Sequence, residues 1–400
     1  MTSHHLHSRS TLSILLSAAL LSFATLLSPF GHTTQTQIER THHQDGKDHK
    51  KQPKIQLAIL LDTSNSMDGL IDQTRNQLWQ VVNEFSTAKR DGITPTLEVA
   101  LFEYGNDNNS KHTGFIRKLS GFTQELDRIS EALFSLTTNG GSEFCGFAIN
   151  TAANNLRWST DDNDIKAIFI AGNEPFTQGP IHFREAIRLA KSKGILVNTI
   201  HAGAYDEGVQ GNWQQGALLA GGDYMSINAD RKIVHIEAPQ DKRIAELNSQ
   251  LNKTYVPYGK RGKVKVERQY EQDRANSEIS VGLLAKRAKT KSSSFYKNDD
   301  WDLVDAMDKG KVSEEQLIKM EKKALPKDMQ QLPEAERAEY VANKNKERQR
   351  IKAEIVKLSK KRESYVAEKK KEQVNAAPSM SDALTQSIKK QAKEKAFIFE

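Results

Sequence analysis

The run Ile55-Gln-Leu-Ala-Ile-Leu-Leu61 constrains this chain more than any other stretch, because it carries no charge and only one polar side chain. A strand with one wet face alternates apolar and polar residues. A run that is apolar on both sides reads as a strand covered on both faces, as in a parallel sheet flanked by helices. Lys166-Ala-Ile-Phe-Ile-Ala171 repeats the pattern, and Leu97 to Tyr104 and Ile195 to His201 read as further strands. Between them lie amphipathic segments. The first has Leu70, Leu78, Val81, Val82 and Phe85 on its apolar face and ends before the Asp91-Gly92 turn. A hairpin near Phe115 to Leu119, helices over Thr123–Phe134, Ser142–Leu156, Pro180–Lys193 and Trp213–Ala220, and a strand over Tyr224–Ile227 complete the order. Strands separated by helices imply right-handed crossovers, so residues 55–230 are expected to form an α/β domain with a doubly wound, mainly parallel, Rossmann-like sheet.

Beyond Ala238 the character changes. Residues 240–252 read as one more helix within a connector spanning 231–262, with a turn-rich stretch from Tyr255 to Gly262. Residues 263–400 read as charged helices punctuated by Pro326, Pro333 and Pro378. In the helix expected from Pro333 to Lys371, Ile351, Ile355, Leu358 and Tyr365 form a coiled-coil-like stripe. Residues 255–400 hold 34 basic and 24 acidic side chains, against 24 and 27 before them. A tail with that excess suits either an anionic surface of the cell envelope or a merely solvated helical face. Nucleic acid is not expected, although Tyr255, Tyr258 and Tyr270 lie near the basic run Lys260 to Lys265, because the chain reads as exported.

Export is read from the N-terminus, where Arg9 precedes an apolar stretch from Leu12 to Phe30. Residues 1–31 are expected to be a signal peptide or an N-terminal membrane anchor, and 32–54 a flexible linker. Either reading places the rest of the chain in the periplasm or outside the cell, soluble or anchored to the inner membrane. The single cysteine, Cys145, excludes an internal disulfide and a Cys-rich zinc site.

The segment that carries chemistry is Asp62-Thr63-Ser64-Asn65-Ser66, between the first buried strand and the first long helix. In a doubly wound sheet, ligands bind beyond the carboxyl ends of the strands. The Asp62 carboxylate and the Ser64 and Ser66 hydroxyls are hard oxygen donors suited to Mg²⁺, Mn²⁺ or Ca²⁺. The alternative is a plain helix cap, since Asp and Ser favour that position.

In this context Asp-x-Ser-x-Ser resembles the metal-ion-dependent adhesion site of von Willebrand factor A-like domains, in the form found in exported bacterial proteins. The resemblance covers about residues 55–230. It implies a second loop with a hydroxyl ligand, here Ser142 in Gly140-Gly141-Ser142-Glu143, with Thr138 as the alternative. It also implies a third loop with an aspartate, where this chain has Asn173 in Gly172-Asn173-Glu174-Pro175. The metal set implied is therefore Asp62, Ser64, Ser66, Ser142 and Asn173. One acid fewer predicts weak binding of Mg²⁺, or of Mn²⁺ or Ca²⁺, with Glu143 and Glu174 as compensating carboxylates. In the family the partner's Asp or Glu completes the metal shell, which implies a divalent-metal-dependent protein-binding module working in adhesion or assembly at the bacterial envelope. The competing expectation is an envelope scaffold that no longer needs metal. No enzyme is expected: the haloacid-dehalogenase-like pattern needs a second Asp where Ser64 stands, and His201 and Cys145 read as packing residues. Gly105 to Asn109 lacks EF-hand spacing and reads as a turn. The segment from Asp241 to Leu303 resembles the extension that follows the A domain in uncharacterised bacterial proteins, which implies an ordered tail.

Overall fold

The computed structural model describes residues 52–228, 235–372 and 380–399. The expected signal or anchor (1–31) and most of the expected linker lie outside the described residues. Eight strands occur in chain order: β1 (Lys54–Asp62), β2 (Ala88–Lys89), β3 (Thr96–Tyr104), β4 (Arg117–Thr123), β5 (Ile165–Gly172), β6 (Leu196–Ala202), β7 (Tyr224–Ile227) and β8 (Ile398–Phe399). Six of them form one sheet in the order β4-β3-β1-β5-β6-β7. Only β4 runs antiparallel to its neighbour; the other pairs are parallel, so the sheet is doubly wound about β1.

Helices α1 (Asp68–Phe85) and α2 (Leu126–Phe134) pack on one face of the sheet. Helices α3 (Cys145–Asn155), α4 (Phe183–Ser192) and α6 (Trp213–Ala220), the last preceded by the short α5 (Tyr205–Gln210), pack on the other. The pleat of β1 divides its residues between the two layers. Leu57, Ile59 and Leu61 join Leu70, Trp79 and Phe85 of α1, whereas Ala58 and Leu60 join Ala148, Ile149, Phe183 and Ile187. All eight residues from Ile55 to Asp62 are buried, which is why the stretch is aliphatic apart from Gln56 and the terminal Asp62.

The region after β7 is helical: α7 (Asp241–Asn252), α8 (Gly259–Ile279), α9 (Val281–Ser292), α10 (Leu303–Asp308), α11 (Glu314–Ile318), α12 (Lys327–Gln330), α13 (Arg337–Glu372) and α14 (Met380–Glu394). Helix α8 begins inside the stretch read as turn-rich. Gly262 sits in its first turn because a Cβ there would lie 2.9 Å from the Pro257 backbone, so this glycine serves close approach and not a bend. Ile351 and Ile355 of α13 pack with Ile244, Leu247 and Leu251 of α7 and Ala285 and Ala288 of α9, so the apolar stripe of α13 is met by this chain's own helices. Leu283 of α9 and Leu384, Ile388 and Ala392 of α14 belong to the same cluster as α1 and the sheet.

Candidate metal centre

Strands β3 and β5 flank β1, so the loops leaving the C-terminal ends of all three converge on one spot. Asp62, the last residue of β1, is fully buried there. Backbone bonds tie the loop after β1 to the end of β3 and to the loop between α2 and α3. The Thr63 amide donates to the Tyr104 carbonyl (2.9 Å), the Asn65 amide to Gly140 (3.1 Å), and the Asn139 amide to Thr63 (3.0 Å). Within the first loop the Ser64 amide donates to Asp62 Oδ1 at 2.8 Å, and the Ser64 and Ser66 hydroxyls lie 3.4 Å apart. Asn173 Nδ2 donates to Ser66 Oγ at 3.2 Å, which brings the third loop onto the first. Two buried rings hold that loop from behind. His201 Nε2 donates to the Asn173 carbonyl (3.1 Å), and Trp213 Nε1 to the Glu174 carbonyl (2.8 Å).

Ser142 pairs through its backbone with Gly105, and the residue delivered into the centre beside it is Glu143, which is buried and within hydrogen-bonding reach of Asp62 and Ser64. Glycines make room for these acids. A Cβ on Gly105, whose φ is +78°, would lie 2.6 Å from Asp62 Oδ1 and 2.9 Å from Glu143 Cγ, and one on Gly172 would lie 2.4 Å from the Tyr104 hydroxyl and 3.0 Å from Asp62 Oδ2. Burial therefore presses two carboxyl groups together. It pushes Asp62 up to about 6, helped by Glu174 and opposed by hydrogen bonds from Glu143 and Ser64. It pushes Glu143 up to about 9, with the charge of Asp62 next in importance. Two like charges at this depth cannot both ionise without a counter-charge.

With both acids ionised, three buried oxygens, Asp62 Oδ2 at the end of β1, Glu143 Oε2 in the loop between α2 and α3 and Asn173 Oδ1 after β5, have no hydrogen-bond donor among the described residues. Orphaned buried acceptors cost free energy unless something positive meets them. Among the described residues no group of three or more His, Cys, Asp or Glu side chains could hold a metal ion. What the loops offer is a mixed set: two carboxylates, an amide oxygen and two hydroxyls, all hard donors, which fits Mg²⁺ or Mn²⁺. Of the residues expected from the sequence, Asp62, Ser64, Ser66 and Asn173 are linked through direct hydrogen bonds, while the Ser142 hydroxyl bonds to none of them. Glu143, expected only as a compensating carboxylate, is the second buried acid. Glu174 is partly exposed and accepts from Gln178 at 3.3 Å. The Gly105–Asn109 turn buttresses the second loop: Asn106 Nδ2 donates to Thr137 (2.9 Å) and the Asp107 amide to Asn139 (3.2 Å). Sequence reasoning missed that role, since no motif marks it.

The family model for the von Willebrand factor type A domain matches residues 56–212. Those residues are a von Willebrand factor type A domain. Such domains often mediate protein interactions and often bind a divalent metal at this site. The A domain is similar to solved structures of low sequence identity. The mussel byssus proximal thread matrix protein 1 with a zinc-occupied adhesion-site motif is 14% identical over 45% of this chain and 43% of that chain, with a TM-score of 0.35. The conserved hypothetical protein BatB of Bacteroides thetaiotaomicron is 18% identical over 43% of this chain and 90% of that one, at 0.34. The pilus adhesin SpaC of Lactobacillus rhamnosus GG is 14% identical over 45% and 29%, at 0.35. This chain thus spans less than half of the byssus protein and of the adhesin. A comparison with curated proteins gives no match.

Proposed function

We propose that this protein is a divalent-metal-dependent protein-binding module of the bacterial cell envelope, exported by its N-terminal segment, and that it recognises a carboxylate on its partner without turning anything over. The observation that carries the reading is the trio of unpartnered buried oxygens on Asp62, Glu143 and Asn173. Asp62, Glu143, Ser64, Ser66 and Asn173 would hold Mg²⁺ or Mn²⁺, with Ser142 at the rim of the second loop. The cation would supply a positive charge able to bridge to an acidic residue of the partner. The chain's own residues do the positioning: His201 and Trp213 hold Asn173 in place, and Gly105 and Gly172 leave space for the acids.

Calorimetric titration of Mg²⁺ and Mn²⁺ into the protein tests this. Asp62→Ala and Glu143→Ala should each abolish or greatly weaken binding. Asn173→Asp should tighten it by about tenfold, the effect of one restored charge worth on the order of 1 to 2 kcal/mol at a partly solvated site. If Asn173→Asp changed nothing while Glu174→Ala destroyed binding, Glu174 would be the acid of the third loop. Wild-type protein that took up no cation would leave the metal-independent scaffold as the better reading.

A further inference from the structure

Helix α13 sorts its charges by direction. Inward, Arg348 bonds Asp302 and Asp305 at 2.5 and 2.6 Å, and Arg362 bonds Asp241 at 2.5 Å; both arginines are buried beside Ile351 and Ile355. Sideways, three of its acids are taken up by neighbours: Glu354 by Arg243 of α7 at 3.0 Å, Glu363 by Lys289 of α9, and Glu347 by Lys344 at 3.9 Å. Outward, on the face opposite Ile351 and Ile355, helical spacing aligns Lys346, Arg350, Lys357, Lys360 and Lys361, all exposed and with no acid among them. Arg350 has only a long contact of 3.8 Å to Glu354, and the four lysines have no ion pair with any described residue. The stripe is about 22 Å long at 1.5 Å per residue.

We propose that this stripe is a docking surface for an anionic bilayer, separate from the metal centre. A helix laid on a plane touches it along one line, and from Lys346 to Lys361 that line carries no acid; Glu339 and Glu368 lie on it beyond the two ends, and the paired glutamates sit back on the flanks. Ala353 and Ser364, the uncharged residues on the same line, are too small to insert between lipids, so contact is peripheral and electrostatic. The line carries no aromatic ring on which a base could stack, which disfavours single-stranded nucleic acid. Each Lys or Arg held near an anionic leaflet contributes about fivefold in partitioning, so the stripe as a whole provides a strong but salt-reversible hold.

The test is sedimentation of the full chain with vesicles of mixed phosphatidylcholine and phosphatidylglycerol. Binding to phosphatidylcholine alone measures what other segments contribute and is subtracted. The expected result is an excess on the anionic vesicles that disappears as salt shortens the Debye length from about 10 Å at 0.1 M to about 3 Å at 1 M. Reversing Lys357→Glu and Lys361→Glu together should reduce it by about 25-fold or more, from two fivefold contributions. Lys357→Arg with Lys361→Arg should retain it, and thermal melting should show both double variants folded. Asp62→Ala should leave it unchanged, so that failure of the metal reading and failure of this one are separable. An excess that survives the charge reversal overturns the proposal. So does competition in which duplex DNA strips the protein from vesicles in a lysine-dependent way, which would make nucleic acid the ligand.

Discussion

Asp62 and Glu143 occupy a space that water scarcely reaches, and their protonation is therefore tied to folding. Glu143 moves from an ordinary carboxyl value of 4.5 to about 9 in the native state, and Asp62 from 3.8 to about 6. Between those limits the native chain holds protons that the unfolded chain has released, so stability falls as pH rises from about 4.5 towards 9. A cation bound to the native state should offset that penalty. With chelator present, thermal melts taken from about pH 5 to about pH 9 are expected to show a steadily falling transition, and saturating Mg²⁺ should flatten the slope. Glu143→Gln should flatten it without metal. A slope that persisted in Glu143→Gln would mean that other groups cause the pH dependence.

At the scale of elements, α1 shows why the helical region belongs to this particular sheet. Its side away from the sheet bears amides, and they are bonded across to the later helices: Asn83 Nδ2 donates to the Lys286 carbonyl (2.9 Å), and Thr290 Oγ1 donates to Asn83 Oδ1 (2.8 Å). Trp79 Nε1 donates to Asn276 Oδ1 at 2.6 Å. Arg287 of α9 completes the junction. It is fully buried, bonded to Asp127 of α2 (2.5 Å) and Asp273 of α8 (2.6 Å), and stacked over the Trp79 ring at 4.8 Å. Asp273 is held well below the usual carboxylate range against its burial, by Lys291 and then Arg287. Removing one member of a buried network strands the charge of the others, so Arg287→Leu is expected to cost about 3–5 kcal/mol. Urea unfolding measures it; a loss below about 1 kcal/mol would show that Lys291 alone neutralises Asp273.

On the scale of the whole molecule, residues 51–400 form one compact unit that the last helix closes. Leu384, Ile388 and Phe397 are buried with α1 and the sheet, and β8 pairs antiparallel with β2. Ser387 bonds Asn198 and Asp223, both at 2.8 Å, and Gln391 bonds Asn198 at 2.7 Å, so α14 also caps the polar side of β6. Deleting residues 380–400 would expose three large apolar side chains worth roughly 5–9 kcal/mol together. That is comparable with the whole stability of an ordinary domain. The truncated chain is expected to lose its cooperative transition and to be cut rapidly within α1 by added protease. Survival of a native-like melt would show that the sheet and α1 stand without α14.

The strands and the loop after β1 were legible because they obey local rules. A strand covered on both faces must be aliphatic throughout, and Asp62, Ser64 and Ser66 lie within five consecutive residues, so chain order alone brings them together. Helix boundaries next to the centre were less legible: α3 starts at Cys145 and not at Ser142, because Ser142 is held in a bridge to Gly105, a residue far away in sequence. The weight of Glu143 was hidden for the same reason. From the sequence Glu143 is no more than a compensating carboxylate; only in the folded chain does Gly105 leave space for it beside Asp62. Likewise the tail's charge excess was visible in composition, but which lysines face outward was decided by where Arg348, Arg362, Ile351 and Ile355 found partners inside. Local periodicity encodes burial; long-range packing determines which buried charges meet, and a charge acquires its chemistry from what it meets.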